Sequence, residues 1–140
     1  MNTTYINTQI CQASPMNLGE YNKLRGWKIP KNQDPEALGY LVKVADHNTQ
    51  TWTPKVQFEA NSIELADADG LPPYQQRVVA ERTVLNTNLN SLVNFTRKPV
   101  FLTVPHTERE LLLSQSRAMT AYLNKLDKRI DLFYPYDSSR

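Results

Sequence analysis

Aromatic and basic side chains are concentrated between residues 21 and 55, and they are the part of this sequence best suited to chemistry. Aromatic faces stack on nucleobases, while arginine and lysine form charge-assisted hydrogen bonds to phosphate. This combination suggests a site for a nucleotide. The alternative is a small aromatic core, with the cations extended over it. The set falls within 35 residues and comprises Tyr21, Arg25, Trp27, Tyr40, Trp52 and Lys55.

Basic side chains also recur in the second half of the chain, at Arg77, Arg109 and Arg117. A phosphate site shared between subunits could use them, because pre-organised pockets reduce the ordering cost of binding. The alternative is that they are solvated, or that they pair between helices.

The sequence contains no constellation that predicts catalysis or metal binding. His47 and His106 have no partner at ligand spacing, and no motif supplies a base for Cys11. Asp67 and Asp69 resemble half of a calcium loop, but no glutamate completes it. We therefore expect a non-enzymatic protein with no cofactor and no metal.

Composition limits the class of protein further. The 140 residues carry a net charge of +2, with 21% charged residues, which argues against the dense basic surface that drives nucleic-acid binding. No apolar run approaches the roughly 20 residues of a membrane helix, and the N-terminus lacks the features of a secretory signal. With a single cysteine, the chain is predicted to be cytoplasmic.

Residues 1–66 predict a small α+β module. The polar stretch from Tyr5 to Ser14 suits an edge strand, and Asn17 is placed to cap a helix over 18–25 that Gly26 would end in a left-handed turn. Residues 39–44 form the strongest strand pattern in the chain.

A hairpin is predicted from residues 39–44 to a second strand at 50–52, through a turn at 46–48. Thr53 would then cap a short helix with Pro54 at its first position and Phe58 facing inward.

Residues 67–72 predict a linker, and residues 73–134 predict an antiparallel hairpin of two long helices. The first helix would start at Pro73 and end near Phe95. Thr107 and Glu110 predict a capping box for the second helix, which would run to about Phe133, before a flexible tail at 135–140.

The apolar stripes of the two predicted helices are too wide for one hairpin to cover. We expect the remaining surface to meet the N-terminal part and another copy of the chain. The main stripe of the second helix comprises Leu111, Gln115, Met119, Tyr122, Leu126, Ile130 and Phe133. The apolar residues off the main seam are Val79, Leu112, Leu123 and Leu132.

Several motifs resemble those of phage proteins. In the first half, Gly19-Glu20-Tyr21-Asn22, Arg25-Gly26-Trp27, Gly39-Tyr40-Leu41-Val42 and Trp52-x-Pro54-Lys55-x-x-Phe58-Glu59 resemble a module of tailed phages. In the second half, Pro73-x-Gln75-Gln76-Arg77 and the later Gln115, Met119, Tyr122 and Arg129-Ile130 resemble small proteins of crAss-like phages. The first module is similar to one that precedes a domain of Thoeris anti-defence sponges, which bind nucleotide immune signals of the host.

That resemblance implies a counter-defence role, but it transfers no binding residues, because the sponge domain itself is not visible in this chain. The leading hypothesis is a homo-oligomeric phage protein in the cytoplasm of the infected bacterium. It would bind a nucleotide-derived signal, an ADP-ribose derivative or a cyclic nucleotide, without cleaving it. The alternative is an inhibitor of a host defence enzyme or nuclease complex, acting through the hairpin. A single-stranded nucleic-acid accessory role is a third, which the overall charge disfavours.

Overall fold

The protein has an α+β fold, as the sequence predicts, with a small antiparallel sheet followed by long helices. The computed structural model describes residues 1–7, 9–44, 49–66 and 68–134. The chain divides into two compact units, Met1–Ile63 and Glu64–Arg140, which we call unit 1 and unit 2. The predicted turn at 46–48, His47 within it, Asp67 and the predicted tail at 135–140 lie outside the described residues.

The sheet of unit 1 has three antiparallel strands in the order β1 (Gln12–Pro15), β2 (Gly39–Val44) and β3 (Thr49–Pro54). Strand β2 has the predicted bounds, and its pairing with β3 confirms the hairpin. The edge strand β1 is shorter than predicted, because Gln12 already pairs with Lys43 near the end of β2. Residues further towards the N-terminus therefore have little strand left to pair with.

Helix α1 (Leu18–Arg25) forms where its end signals predict it. The side chain of Asn17 accepts a hydrogen bond from the backbone N–H of Glu20 at 2.8 Å. Gly26 ends the helix with φ of 73°, a left-handed conformation that glycine adopts without a steric cost.

Helix α2 (Lys55–Asn61) begins differently from the prediction, and the predicted cap at Thr53 is wrong. Thr53 belongs to β3, where it is paired with Tyr40, and Pro54 occupies the position before the helix with no side-chain cap. The strand-forming tendency of Thr53 prevails because β2 offers it a partner. Phe58 faces inward as predicted, with its ring centroid 4.5 Å from that of Tyr40.

Unit 2 contains α3 (Pro73–Thr96), a 3₁₀ helix (Pro99–Thr103) and α4 (His106–Asp131). Pro73 is at the start of α3 as predicted. The predicted capping box is wrong, since Pro105 precedes α4 without a side-chain cap and its carbonyl accepts from the N–H of Arg109 at 2.9 Å. Between the long helices, Phe101 is buried edge-on against Phe95, at 5.9 Å between ring centroids.

The seam between α3 and α4 contains Val78, Leu89 and Leu126, the last of which is only 1% exposed. The predicted stripe of α4 is partly wrong. Leu111 and Tyr122 are exposed, while Val79, which was predicted to lie off the seam, is buried. Leu112 and Leu123 are also half-buried rather than outlying. The other apolar members of the predicted stripe, Met119, Leu126, Ile130 and Phe133, are buried or half-buried, so the observed seam follows the predicted one at these positions and departs from it at the others.

Candidate functional site

Three of the predicted ligand-binding residues form one cluster at the end of α1. The guanidinium carbon of Arg25 lies 5.5 Å from the ring centroid of Tyr21 and 5.7 Å from that of Trp27, within range of cation–π contacts. Arg25 also donates from Nε to the hydroxyl of Tyr21 at 3.2 Å and from Nη2 to the backbone carbonyl of Gln50. Tyr21 is buried, whereas Trp27 is 59% exposed and offers a ring to solvent.

Trp52 belongs to the small core of unit 1. Its indole N–H donates to the backbone carbonyl of Met16 at 2.7 Å, and its ring covers Gly39 so closely that no side chain fits there. Leu41, buried in β2, pairs with Trp52 across the ladder. The surroundings of Trp52 therefore fit a residue of a small aromatic core better than a residue that stacks on a nucleobase.

Tyr40 and Lys55 line a cavity of about 320 Å³ in unit 1. The hydroxyl of Tyr40 donates to a carboxylate oxygen of Glu59 at 3.0 Å. Glu20 contributes a carboxylate to the wall, so the cavity presents charges of both signs. Nothing in the sequence marks Glu20 as a site residue, because its position in the first turn of a helix already accounts for its charge. The full lining is Pro15, Met16, Asn17, Glu20, Leu38, Gly39, Tyr40 and Lys55.

The three predicted arginines of unit 2 differ in their surroundings. Arg77 on α3 and Arg117 on α4 are exposed. Arg109, in the first turn of α4, is half-buried, and its Nε is buried with no hydrogen-bond partner. A buried donor of this kind costs about 1–3 kcal/mol when it is left unpaired, and more when it is charged. An acceptor supplied from outside the described residues, such as an anion, would remove that cost.

A regular row of exposed residues, which we call the α4 outer stripe, runs along the second long helix. Successive members are alternately four and three residues apart, the spacing by which helices pair side by side. Apolar members lie at both ends, with Leu111 65% and Leu132 85% exposed, and Tyr122 is 45% exposed between them. The stripe comprises Leu111, Gln115, Ala118, Tyr122, Lys125, Arg129 and Leu132.

Other chemistry in the described part of the chain is limited. No group of three or more His, Cys, Asp or Glu side chains there is arranged to hold a metal ion. Desolvation by burial raises the pKa of the half-buried Cys11 thiol, which keeps it protonated and weakly nucleophilic. None of the described helices combines the length and apolar character needed to span a membrane.

The fold and site define a small α+β protein in which a paired-helix unit presents exposed arginines and an exposed stripe on α4. Residues 72–132, which include α3, the 3₁₀ helix and α4, match the family described as Sequestin. A relative from Enterobacteria phage T4, the "Uncharacterized 7.5 kDa protein in denB-rIIB intergenic region", is 45% identical over 60 residues. The aligned part is 43% of this chain and 94% of the phage protein. The chain belongs to the Sequestin family.

These comparisons confirm the resemblance to small phage proteins. They do not confirm the individual motifs of either half. The family match begins at residue 72, so for residues 1–71 the whole resemblance stays a prediction. No solved structure matches the chain.

Proposed function

We propose that this protein is a phage counter-defence protein that sequesters a nucleotide-derived immune signal of the host, in the cytoplasm of the infected bacterium. The observation that carries the proposal is the family match over the helical unit, since the name Sequestin denotes holding a ligand back. Sequestration needs tight binding and no cleavage. The ligand is an ADP-ribose derivative or a cyclic nucleotide, both of which carry phosphate.

Arg109 is the side chain that best supports anion binding in the helical unit. Its Nε is buried with no partner among the described residues. A shift of this side chain that brought the guanidinium to a phosphate oxygen would therefore form a charge-assisted hydrogen bond and remove the cost of a buried donor. Arg77 and Arg117, both exposed, carry further positive charge on the same two helices. In unit 1, Lys55 at the cavity is the second candidate for phosphate, with Tyr40 beside it.

The proposal includes self-association through the α4 outer stripe. A phosphate site between two subunits is already ordered by their association, so ligand binding costs less conformational entropy. The stripe leaves Leu111, Tyr122 and Leu132 exposed in the single chain. Charges along α4 favour a second copy in antiparallel orientation. Glu108, one step before the stripe in the same spacing, lies near the start of α4, and the stripe residues Lys125 and Arg129 lie near its end. Two antiparallel copies would place opposite charges against each other.

Calorimetric titration of the purified protein tests the proposal directly, with cyclic dinucleotides, cyclic trinucleotides and cyclic ADP-ribose isomers as ligands. We expect at least one ligand to bind, and to be recovered chemically intact after the protein is unfolded by heat. Absence of binding across all three classes would refute the proposal, and a cleaved ligand would refute sequestration.

The variants Arg109→Met and Lys55→Met locate the site. Loss of one charge-assisted bond to phosphate weakens binding about ten- to hundred-fold. A loss confined to Arg109→Met assigns the ligand to the helical unit, and a loss confined to Lys55→Met assigns it to the cavity of unit 1. If neither variant changes the affinity, both assignments are refuted.

An inhibitor that binds a host enzyme is the second candidate, and the same exposed stripe on α4 favours it. The two functions differ in what the stripe contacts. An inhibitor would leave infected cells in a stoichiometric complex with one host protein, and that complex would be lost when Ala118 in the stripe is replaced by arginine. A sequestering protein would instead be recovered with copies of itself and a small molecule.

A further inference from the structure

A second charged surface lies in unit 1, outside the residues that match the family. We call it the basic strip and define it as Lys23, Arg25, Trp27, Lys28 and Lys31. Residues 21–33 contain these four cations and no acidic residue. All five side chains of the strip are exposed. The net charge of +2 for the whole chain therefore conceals a local excess of positive charge.

No described residue neutralises the charges of the strip. Among the described residues, no carboxylate lies within ion-pair distance of the four cations. Arg25 donates hydrogen bonds to two neutral oxygens, the hydroxyl of Tyr21 and the backbone carbonyl of Gln50, so its full charge remains. These bonds fix the guanidinium in place beside the ring of Trp27.

Trp27 is exposed and yet held in place by its neighbours. Tyr21 meets its ring edge-on at 6.1 Å with an interplanar angle of 89°, and Arg25 contacts it from the end of α1. The backbone N–H of Trp27 donates to the carbonyl of Asn22 at 2.8 Å, just after the left-handed Gly26. An exposed aromatic ring that is already ordered loses little entropy when a planar group stacks on it.

We propose that the basic strip binds single-stranded nucleic acid. Exposed cations that recur within nine residues of sequence suit a chain of phosphates, and an exposed aromatic ring among them suits an unpaired base. The cavity of unit 1 is lined by other residues, and neither Arg25 nor Trp27 is among them. Exposed cations on both sides of an exposed ring fit an extended polymer better than one small nucleotide.

The ring of Trp27 favours this ligand over other polyanions. An acidic peptide would satisfy the four cations but would leave the ring without a stacking partner. Duplex DNA keeps its bases stacked inside the helix, so it too would leave the ring unused. The proposal does not depend on the proposed function, because it rests on residues outside 72–132.

Fluorescence anisotropy with a labelled 15-nucleotide oligothymidine tests the proposal on the full chain. If four phosphates are neutralised, the salt dependence of single-strand binding predicts that the affinity falls about fifty-fold between about 50 and 200 mM salt. The double variant Lys28→Gln/Lys31→Gln should roughly halve the slope of log affinity against log salt. The control Arg97→Gln/Lys98→Gln removes the same charge from exposed residues at the end of α3 and should leave the slope unchanged.

Trp27→Ala tests the stacking step separately and should weaken oligothymidine binding about ten-fold or more. Thermal unfolding checks that this variant is folded, and the lysine pair tests the strip without altering the ring. A polyglutamate peptide of equal charge, and a duplex of equal length, should both bind more weakly than the single strand. Equal binding of the peptide, or binding that neither variant changes, would overturn the proposal.

Discussion

Gly39 of β2 lies directly beneath the indole ring of Trp52, and the fit leaves no room for a side chain. A Cβ atom built at Gly39 would lie 2.4 Å from both Cε2 and Cζ2 of Trp52, and 2.6 Å from the backbone oxygen of Thr53. This close approach keeps the indole N–H in reach of the Met16 carbonyl. It therefore links the sheet to the segment that leads into α1.

Gly39→Ala is expected to destabilise unit 1 by about 1–3 kcal/mol, the usual cost of forcing extra volume into a packed site. Both tryptophans belong to unit 1, so tryptophan fluorescence during urea unfolding reports on this unit. Gly19→Ala is the matched control. Its Cβ would meet Pro35 at 3.1 Å, a lesser overlap, and alanine improves the helix there. Equal losses for the two variants would contradict the prediction.

The ion pair between Arg82 and Asp127 should contribute modestly to the hairpin. Nε and Oδ1 are 2.8 Å apart, but the two side chains are 35% and 45% exposed, so solvent screens the attraction. A double-mutant cycle with Arg82→Ala and Asp127→Ala is expected to give a coupling energy of about 0.5–1 kcal/mol. Helical circular dichroism during urea unfolding provides the measurement. A coupling that persists at about 1 M salt would contradict screening by solvent.

Much of the fold could be predicted because its signals are local. The cap of Asn17, the left-handed Gly26, the strand at 39–44 and Pro73 at a helix start each act through neighbours in sequence. Thr53 and Thr107 carried equally plausible cap signals, and both predictions were wrong. A cap gives way when a strand partner is available or when a preceding proline starts the helix first. Pro105 is visible two residues before Thr107, but the local sequence does not show which of the two signals prevails.

The candidate site could be predicted by residue type but not by role. Sequence alone treated Trp27 and Trp52 alike, yet one is exposed and the other packs on Gly39. The difference depends on the β2–β3 register, which places Trp52 opposite Leu41. Arg109 could not be distinguished from Arg117 either, because the burial of its Nε depends on packing between helices.

Self-association through the α4 outer stripe predicts that Ala118→Arg lowers the oligomeric mass. Ala118 is a small exposed residue near the middle of the stripe, where an arginine would hold two helices apart. Size-exclusion chromatography with light scattering should show the variant shifting towards a single 16.1 kDa chain. Asn124→Arg, exposed on α4 outside the stripe, adds the same charge and should leave the mass unchanged. A wild-type protein that is monomeric at all concentrations would contradict the prediction.

The thiol of Cys11 should react slowly with iodoacetamide in the folded protein. Burial raises its pKa, so at neutral pH less thiolate is present than in a free cysteine. The folded chain then holds this proton more tightly than the unfolded chain does. Its stability should therefore fall as pH rises through the ordinary thiol range of about 8–9. Cys11→Ser should lack this part of the pH dependence of stability. Equal alkylation rates in native buffer and in urea would contradict the predicted protection of the thiol.

Arg109→Met separates binding from stability, because the variant should bind the ligand more weakly while its free energy of unfolding increases. Methionine keeps the apolar stem while removing a buried Nε that has no partner, so the free protein is expected to gain up to about 1 kcal/mol. Ligand binding should weaken about ten- to hundred-fold. Arg97→Met is the control, since Arg97 is exposed at the end of α3, where losing its charge costs a few tenths of a kcal/mol. Urea unfolding and calorimetry give both quantities. A variant that loses both stability and ligand affinity would show that Arg109 stabilises the hairpin and is not an unpaired anion-binding residue.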